Sequence, residues 1–258
     1  MDTLPLKLIL TPTLIATASL AGRRWGQAVS GWFVGLPLTS GPVAFFVAVD
    51  HGVAFAAATA FGALAAAMAE AAFCLAYGYA ALRWQWPIAL TTACVAFTLT
   101  AVVLGPLSLG MIPLGVIVLA VLAAAVQVMP WRAAAAVGPA PPRWDLPARM
   151  VTATVLVVAL TEAAPVLGPR LSGVLAAFPV YAAILTVFGH RAGAAGAVQV
   201  LRGLLLGLFG FAGFFLVLGL LIERAGIALA FTIASASALA IQTGSLTLVL
   251  GSRKTLGA

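Results

Sequence analysis

From Val53 to Leu82 the chain carries one charged residue, Glu70, in an otherwise apolar stretch. About 20 apolar residues wound as a helix cross the hydrocarbon of a bilayer, whereas such a run leaves a soluble fold nothing polar to show water. Comparable runs recur along all 258 residues, separated by short charged patches. Composition agrees: 64% of residues are hydrophobic and 7% charged, against about 25% charged in an ordinary soluble domain. Lipid is the expected solvent. The runs are continuous rather than alternating, which excludes a membrane barrel and leaves helices as the spanning elements.

Hydropathy predicts about nine spans, near residues 5–21, 30–49, 53–82, 87–104, 109–129, 149–165, 171–189, 194–221 and 226–250. The first twenty residues resemble a signal peptide, but Lys7 precedes a short apolar stretch and Arg23 and Arg24 follow it. That polarity is the reverse of a cleaved signal, so a retained first helix is expected. Placing the N-terminus outside puts Arg23, Arg24, Arg83, Arg132, Arg143, Arg149, Arg191, Arg253 and Lys254 in cytoplasmic segments. Lys7, Arg170 and Arg224 stay outside, a bias that follows the positive-inside rule. The formal charge of +7 therefore marks helix ends. A nucleic-acid partner, which needs a basic face or groove, is not expected.

The Pro- and Arg-rich segment around GPAPPRWD reads as a linker between two halves. An offset of 142 lays Ser30, Gly31 and Pro37 on Ser172, Gly173 and Pro179, and Ser19 and Gly26 on Thr161 and Gly168. Each segment then runs into a His-containing turn, DHG or GHR, and Ile88-Ala89-Leu90 matches Ile227-Ala228-Leu229 farther on. Expected units are a first repeat at 1–105, a connecting helix with cytoplasmic linker at 106–148, and a second repeat at 149–258. With one helix between them, two four-helix repeats thread the membrane in opposite senses. The predicted fold is thus an all-α integral membrane protein built as two inverted four-helix repeats. That plan recurs in secondary transporters, whose sites lie near the midplane at the repeat interface.

Polar chemistry inside the spans is sparse. Gly35-Leu36-Pro37-Leu38-Thr39-Ser40-Gly41-Pro42 sets two prolines around hydroxyls and a glycine. Proline removes a backbone donor and frees carbonyls, which in lipid must find other partners, so a broken helix lining a polar cavity is expected. The counterpart is Phe178-Pro179-Val180-Tyr181. Pro37, Thr39, Ser40, Gly41, Pro179 and Tyr181 are the candidate substrate-binding residues. The alternative is a pair of proline-kinked helices whose hydroxyls bond their own backbone. Glu70 falls roughly 18 Å from the nearer end of its span at 1.5 Å per residue. An ionisable group at that depth faces the bundle interior and marks an ion or substrate path. Arg202 lies about 8 residues in from the cytoplasmic end of the eighth span, the pseudo-symmetric partner of the third, so the two could meet and are candidate coupling residues through an ion pair. Arg202 snorkelling to the interface beside a protonated Glu70 is the competing reading. Glu162, the Asp50-His51 pair and His190 fall at span ends, where an interfacial position is the default. The stripe Thr232, Ser235, Ser237, Gln242 and Thr243 reads as helix packing before ligand binding.

Other functions find little footing. The sequence holds no His-Glu-x-x-His, no Gly-x-Ser-x-Gly elbow and no phosphate-binding loop, so no enzyme and no cofactor are expected. Scattered acids and two cysteines, Cys74 and Cys94, make no metal set. A non-catalytic accessory or structural membrane subunit remains open beside the transporter.

The stretch from Gly31 to about Arg83, with Gly35 to Pro42, then Asp50-His51-Gly52 and a long apolar helix, resembles the small GlpM-like bacterial inner-membrane proteins. Residues 172–224 look like a second, diverged copy, with Ala183 and Ile184 where Gly41 and Pro42 would fall. The resemblance implies a fused tandem duplication in a bacterial inner membrane rather than a substrate; the positive-inside count sets the N-terminus out and the C-terminus cytoplasmic. Partners expected from the transporter reading are the lipid bilayer, a small-molecule substrate and at most a second copy of the chain.

Overall fold

The structure, a computed structural model, describes residues 4–37, 40–106, 108–130 and 177–254, with a few single positions between 144 and 174. Every described element is a helix: α1 Leu4–Trp25, α2 Gln27–Val34, α3 Ser40–His51, α4 Val53–Ala80, α5 Trp86–Leu104, α6 Met111–Val128, α7 Val180–Arg191 and α8 Ala194–Lys254. Glu162 and most of the Pro-rich linker lie outside the described residues.

Among the described residues, four segments are long and apolar enough to cross a membrane: Val53–Ala80, Trp86–Leu104, Met111–Val128 and Ala194–Ser245. The last is broken at Gly226, whose φ of 74° and ψ of 174° are not helical. The second arm folds back on the first, so that Gly210 meets Gln242 and Gly213 meets Ile241. On α5 and α6, Val95, Leu99, Val102, Val103, Ile112 and Val116 are all exposed. A surface so apolar is stable in hydrocarbon and aggregates in water.

Span two is interrupted. Helix α2 ends at Val34 and α3 begins at Ser40, because Pro37 has no N–H to continue the ladder. The two pieces still run along the first arm of α8 in one direction, with Ala28 beside Gly203, Gly35 beside Gly207 and Gly41 beside Phe214. Glycine makes this approach possible. A Cβ on Gly35 would lie 2.5 Å from the Gly207 Cα, and one on Gly207 would lie 2.6 Å from the Trp32 carbonyl oxygen. Close backbone approach through small residues is how helices gain van der Waals contact in lipid, where burial against tails gives no drive.

Helix α7 runs the other way. Gly189 packs on Gly196 across the turn to α8, so α7 is antiparallel to the first arm of α8 and hence to α2 and α3. Helix α6 is also antiparallel to that arm, pairing Gly115 with Leu216 and Met111 with Gly219. Both α3 and α7 are 12 residues long and are followed at once by a long helix. The joints are Gly52, at φ 86°, and Gly193, at φ 127°, conformations open to glycine because it lacks a Cβ.

One end of the bundle collects the basic residues. Tyr77 of α4 meets His190 of α7 there, Tyr79 meets Val128, and Arg202 meets Met129. Arg83 and Arg191 follow within a few residues of that cluster, and the α1–α2 joint brings Arg23 and Arg24 to the same end.

Candidate functional site: a pocket between two helix breaks

The first break is a tight one. Pro37 presents its carbonyl to the Gly41 N–H at 2.9 Å, and α2 closes with the Gly35 N–H on the Gly31 carbonyl at 3.0 Å. The second break turns at Pro179, with φ −78° and ψ 57°. Around it the Val180 N–H donates to the Phe178 carbonyl at 2.7 Å and the Ala183 N–H to the Pro179 carbonyl at 2.8 Å. No side chain caps the start of α7.

The two breaks face one pocket. Val34, Gly35, Leu36 and Ser40 line it from the first, and Ala177 to Ala182 line it from the second. Leu204, Leu208 and Phe211 of α8 form one wall, and Glu70 of α4 completes the lining. The cavity is about 30 Å³, room for a water or two. Phe97 of α5 packs edge-on against Phe178 at 5.1 Å between ring centroids, fixing the second break from behind.

Glu70 is 4% exposed and makes no hydrogen bond or ion pair among the described residues. Burying a carboxyl without a partner costs several kcal/mol if it is ionised. The group is therefore held for a proton or a ligand, or it burdens the fold. Among the described residues no Lys, Arg or His lines the pocket.

The pair expected between Glu70 and Arg202 does not form. Arg202 Nη1 donates to the Met129 carbonyl at 3.0 Å instead, where the end of α6 leaves carbonyls unmatched and a cation is favoured. Arg202 lies with Met129 at the basic end, level with Gly78 of α4 and about two turns beyond Glu70, so the two groups differ in depth. Of the other residues singled out, Ser40, Pro179 and Tyr181 line the pocket. Pro37 and Gly41 sit at the first break, where a Cβ on Gly41 would be 3.9 Å from the Pro37 Cβ. Thr39 lies outside the described residues.

His51 is exposed at the end of α3 and stacks on Phe55, 4.9 Å between centroids. His190 stands beyond the apolar stretch, next to Arg191, with its Nδ1 3.3 Å from the Tyr77 hydroxyl. Burial lowers its pKa from the ordinary value. In the serine and threonine stripe of α8, Thr232, Ser237 and Thr243 bond carbonyls one turn back. Gln242 does more, since its Nε2 donates to the Trp32 carbonyl at 2.9 Å while Trp32 Nε1 donates to Ser245 Oγ at 2.9 Å.

The glycine contacts between α2 and α8 were not singled out in the sequence. Their signal was present as Gly31 with Gly35 and Gly203 with Gly207, each pair four residues apart, the small-xxx-small spacing of close helix pairs. Ala177, Phe178 and Ala182, apolar side chains on the pocket wall, left no such signal.

No protein-family model, no curated protein and no solved structure matches this chain.

Proposed function

We propose that this protein is a secondary transporter of a small organic solute, working by alternating access and coupled to protons through Glu70. The observation that carries the proposal is the pocket itself. The interrupted span two and the start of α7, which runs in the opposite sense, meet at one space, and a buried carboxyl with no partner among the described residues faces it. Discontinuous helices at a repeat interface are the recurring plan of carrier sites, and an intramembrane acid with no counter-ion suits proton transfer.

In this reading the chain makes nine spans, as two inverted four-helix repeats joined by a connecting helix. The paired runs α3–Gly52–α4 and α7–Gly193–α8 are equivalent elements of the two repeats. Positive-inside reasoning makes the arginine-rich end cytoplasmic, with the N-terminus outside. The setting is a bacterial inner membrane, and the chain is a fused duplication of a GlpM-like unit. A cavity of about 30 Å³ is the occluded form of the site, and a solute enters when the bundles part.

Purified protein in liposomes tests the reading. Uptake from a pool of labelled organic solutes should require an inward proton gradient and vanish with Glu70→Gln. Gradient-driven uptake that Glu70→Gln leaves intact removes the acid from coupling, and the absence of any uptake by the protein alone removes the carrier.

A further inference from the structure

Resting on the carrier reading, we infer that the pocket takes a compact monoanion together with a proton on Glu70. The anion is the carboxylate head of a small organic acid or an inorganic ion of similar size.

Helix α7 starts on the pocket wall, and its first turn is where backbone donors are left over. The Val180 and Ala183 N–H groups are used at the break, and the Ala182 N–H has no acceptor among the described residues. A helix start carries about half a positive charge and holds anions through such donors. It is the main source of positive potential among the described residues, whose lining side chains include no cation. Ser40, at the start of α3, adds a hydroxyl from the opposite side.

Glu70 gives the second, independent pointer. It is buried, lines the same space and has no partner among the described residues. Ionised, it would face the bound anion as a like charge in a low dielectric, which disfavours both. Protonated, it becomes a donor and completes the anion's shell. The facing groups add no competing charge. Tyr181 of α7 is titratable, α2, α3 and α8 present only Ser40 and apolar residues, and on α4 itself Cys74 stands one turn away. Proton and anion therefore bind as a pair, adding no net charge to the site. About 30 Å³ admits a halide or a carboxylate head but no longer tail.

Thermal unfolding of the intact protein in detergent tests this with sodium chloride, sodium acetate and sodium gluconate at equal ionic strength, at pH 5.5 and 8.0. Acetate or chloride should raise the Tm over gluconate, with an apparent affinity about tenfold weaker at pH 8.0. Glu70→Gln should bind with the same affinity at both values, and Ser40→Ala should weaken binding while the pH dependence persists. Stabilisation by acetate alone assigns an organic acid, and stabilisation by chloride alone assigns an inorganic anion. Equal Tm in all three salts overturns the inference. If proton-driven solute uptake persists in that case, the carrier stands and only its substrate class changes. A Tm that follows sodium against potassium, with no anion effect, overturns the inference in favour of a cation site.

Discussion

Gly35, which caps the end of α2, and Gly207 of α8 touch backbone to backbone, directly beside the pocket that Gly35 lines. This contact seats the first helix break on the long helix, so the close packing and the candidate site are one construction. Gly35→Leu should therefore destabilise strongly. Overpacking costs about 1–3 kcal/mol where neighbours can yield, and here the neighbour is backbone. Thermal unfolding in detergent should show a large loss for Gly35→Leu. Gly244→Ala, with open space around the added Cβ, should be neutral or gain up to about 1 kcal/mol in helix propensity. Equal stability of Gly35→Leu and the wild type would refute the contact.

The His190 contact with Tyr77 makes stability depend on pH at the basic end. The folded state resists charging His190, whose pKa is lowered by burial. The unfolded chain protonates first, near its ordinary value of about 6.5. Stability is thus full above that value and declines as pH falls from there through the folded value. Tm measured from pH 8 to 5 should fall, and His190→Gln should remove that part of the decline. Tyr77→Phe should cost about 1 kcal/mol for the lost hydrogen bond.

Arg202 supports α6 rather than the pocket. Arg202→Gln should lower Tm, since the Met129 carbonyl loses a charged donor worth about 1.5–3 kcal/mol. The pH dependence of anion binding and of uptake should stay as in wild type. A shift of that profile would tie Arg202 to Glu70 after all.

The second arm of α8 holds Trp32 through two contacts, Ser245 Oγ accepting from the indole and Gln242 Nε2 donating to the backbone. Ser245→Ala leaves the indole N–H without its acceptor, a loss of about 1–3 kcal/mol. Double variants Ser245→Ala with Trp32→Phe should lose less than the sum of the singles, and strict additivity would rule out the coupling.

Much of this architecture was legible because lipid demands so little of sequence. A run such as Val53 to Ala80 needs no periodicity to be read as a helix, and Glu70 stands out by being the single charge within it. Pro37 and Pro179 announced the breaks through their missing donors. Relative depth was the missing coordinate. Residue number puts Arg202 and Glu70 in partner spans, yet only packed helices show that Arg202 sits at the basic end beside Met129 while Glu70 lies about two turns away at the pocket. Frequency hid the glycine contacts: with 26 glycines in 258 residues, a four-residue spacing says little until its partner helix is known. Nor does sequence report the cavity's size, which follows from how Leu204, Leu208 and Phe211 fill the space around Glu70.

The short joints at Gly52 and Gly193 leave almost no slack between α3 and α4 or between α7 and α8. Each helical V must swing as a stiff lever. Compliance is left to the chain around Pro37 and Pro179, so any rearrangement of the bundle bends the backbone on both sides of Glu70 at once.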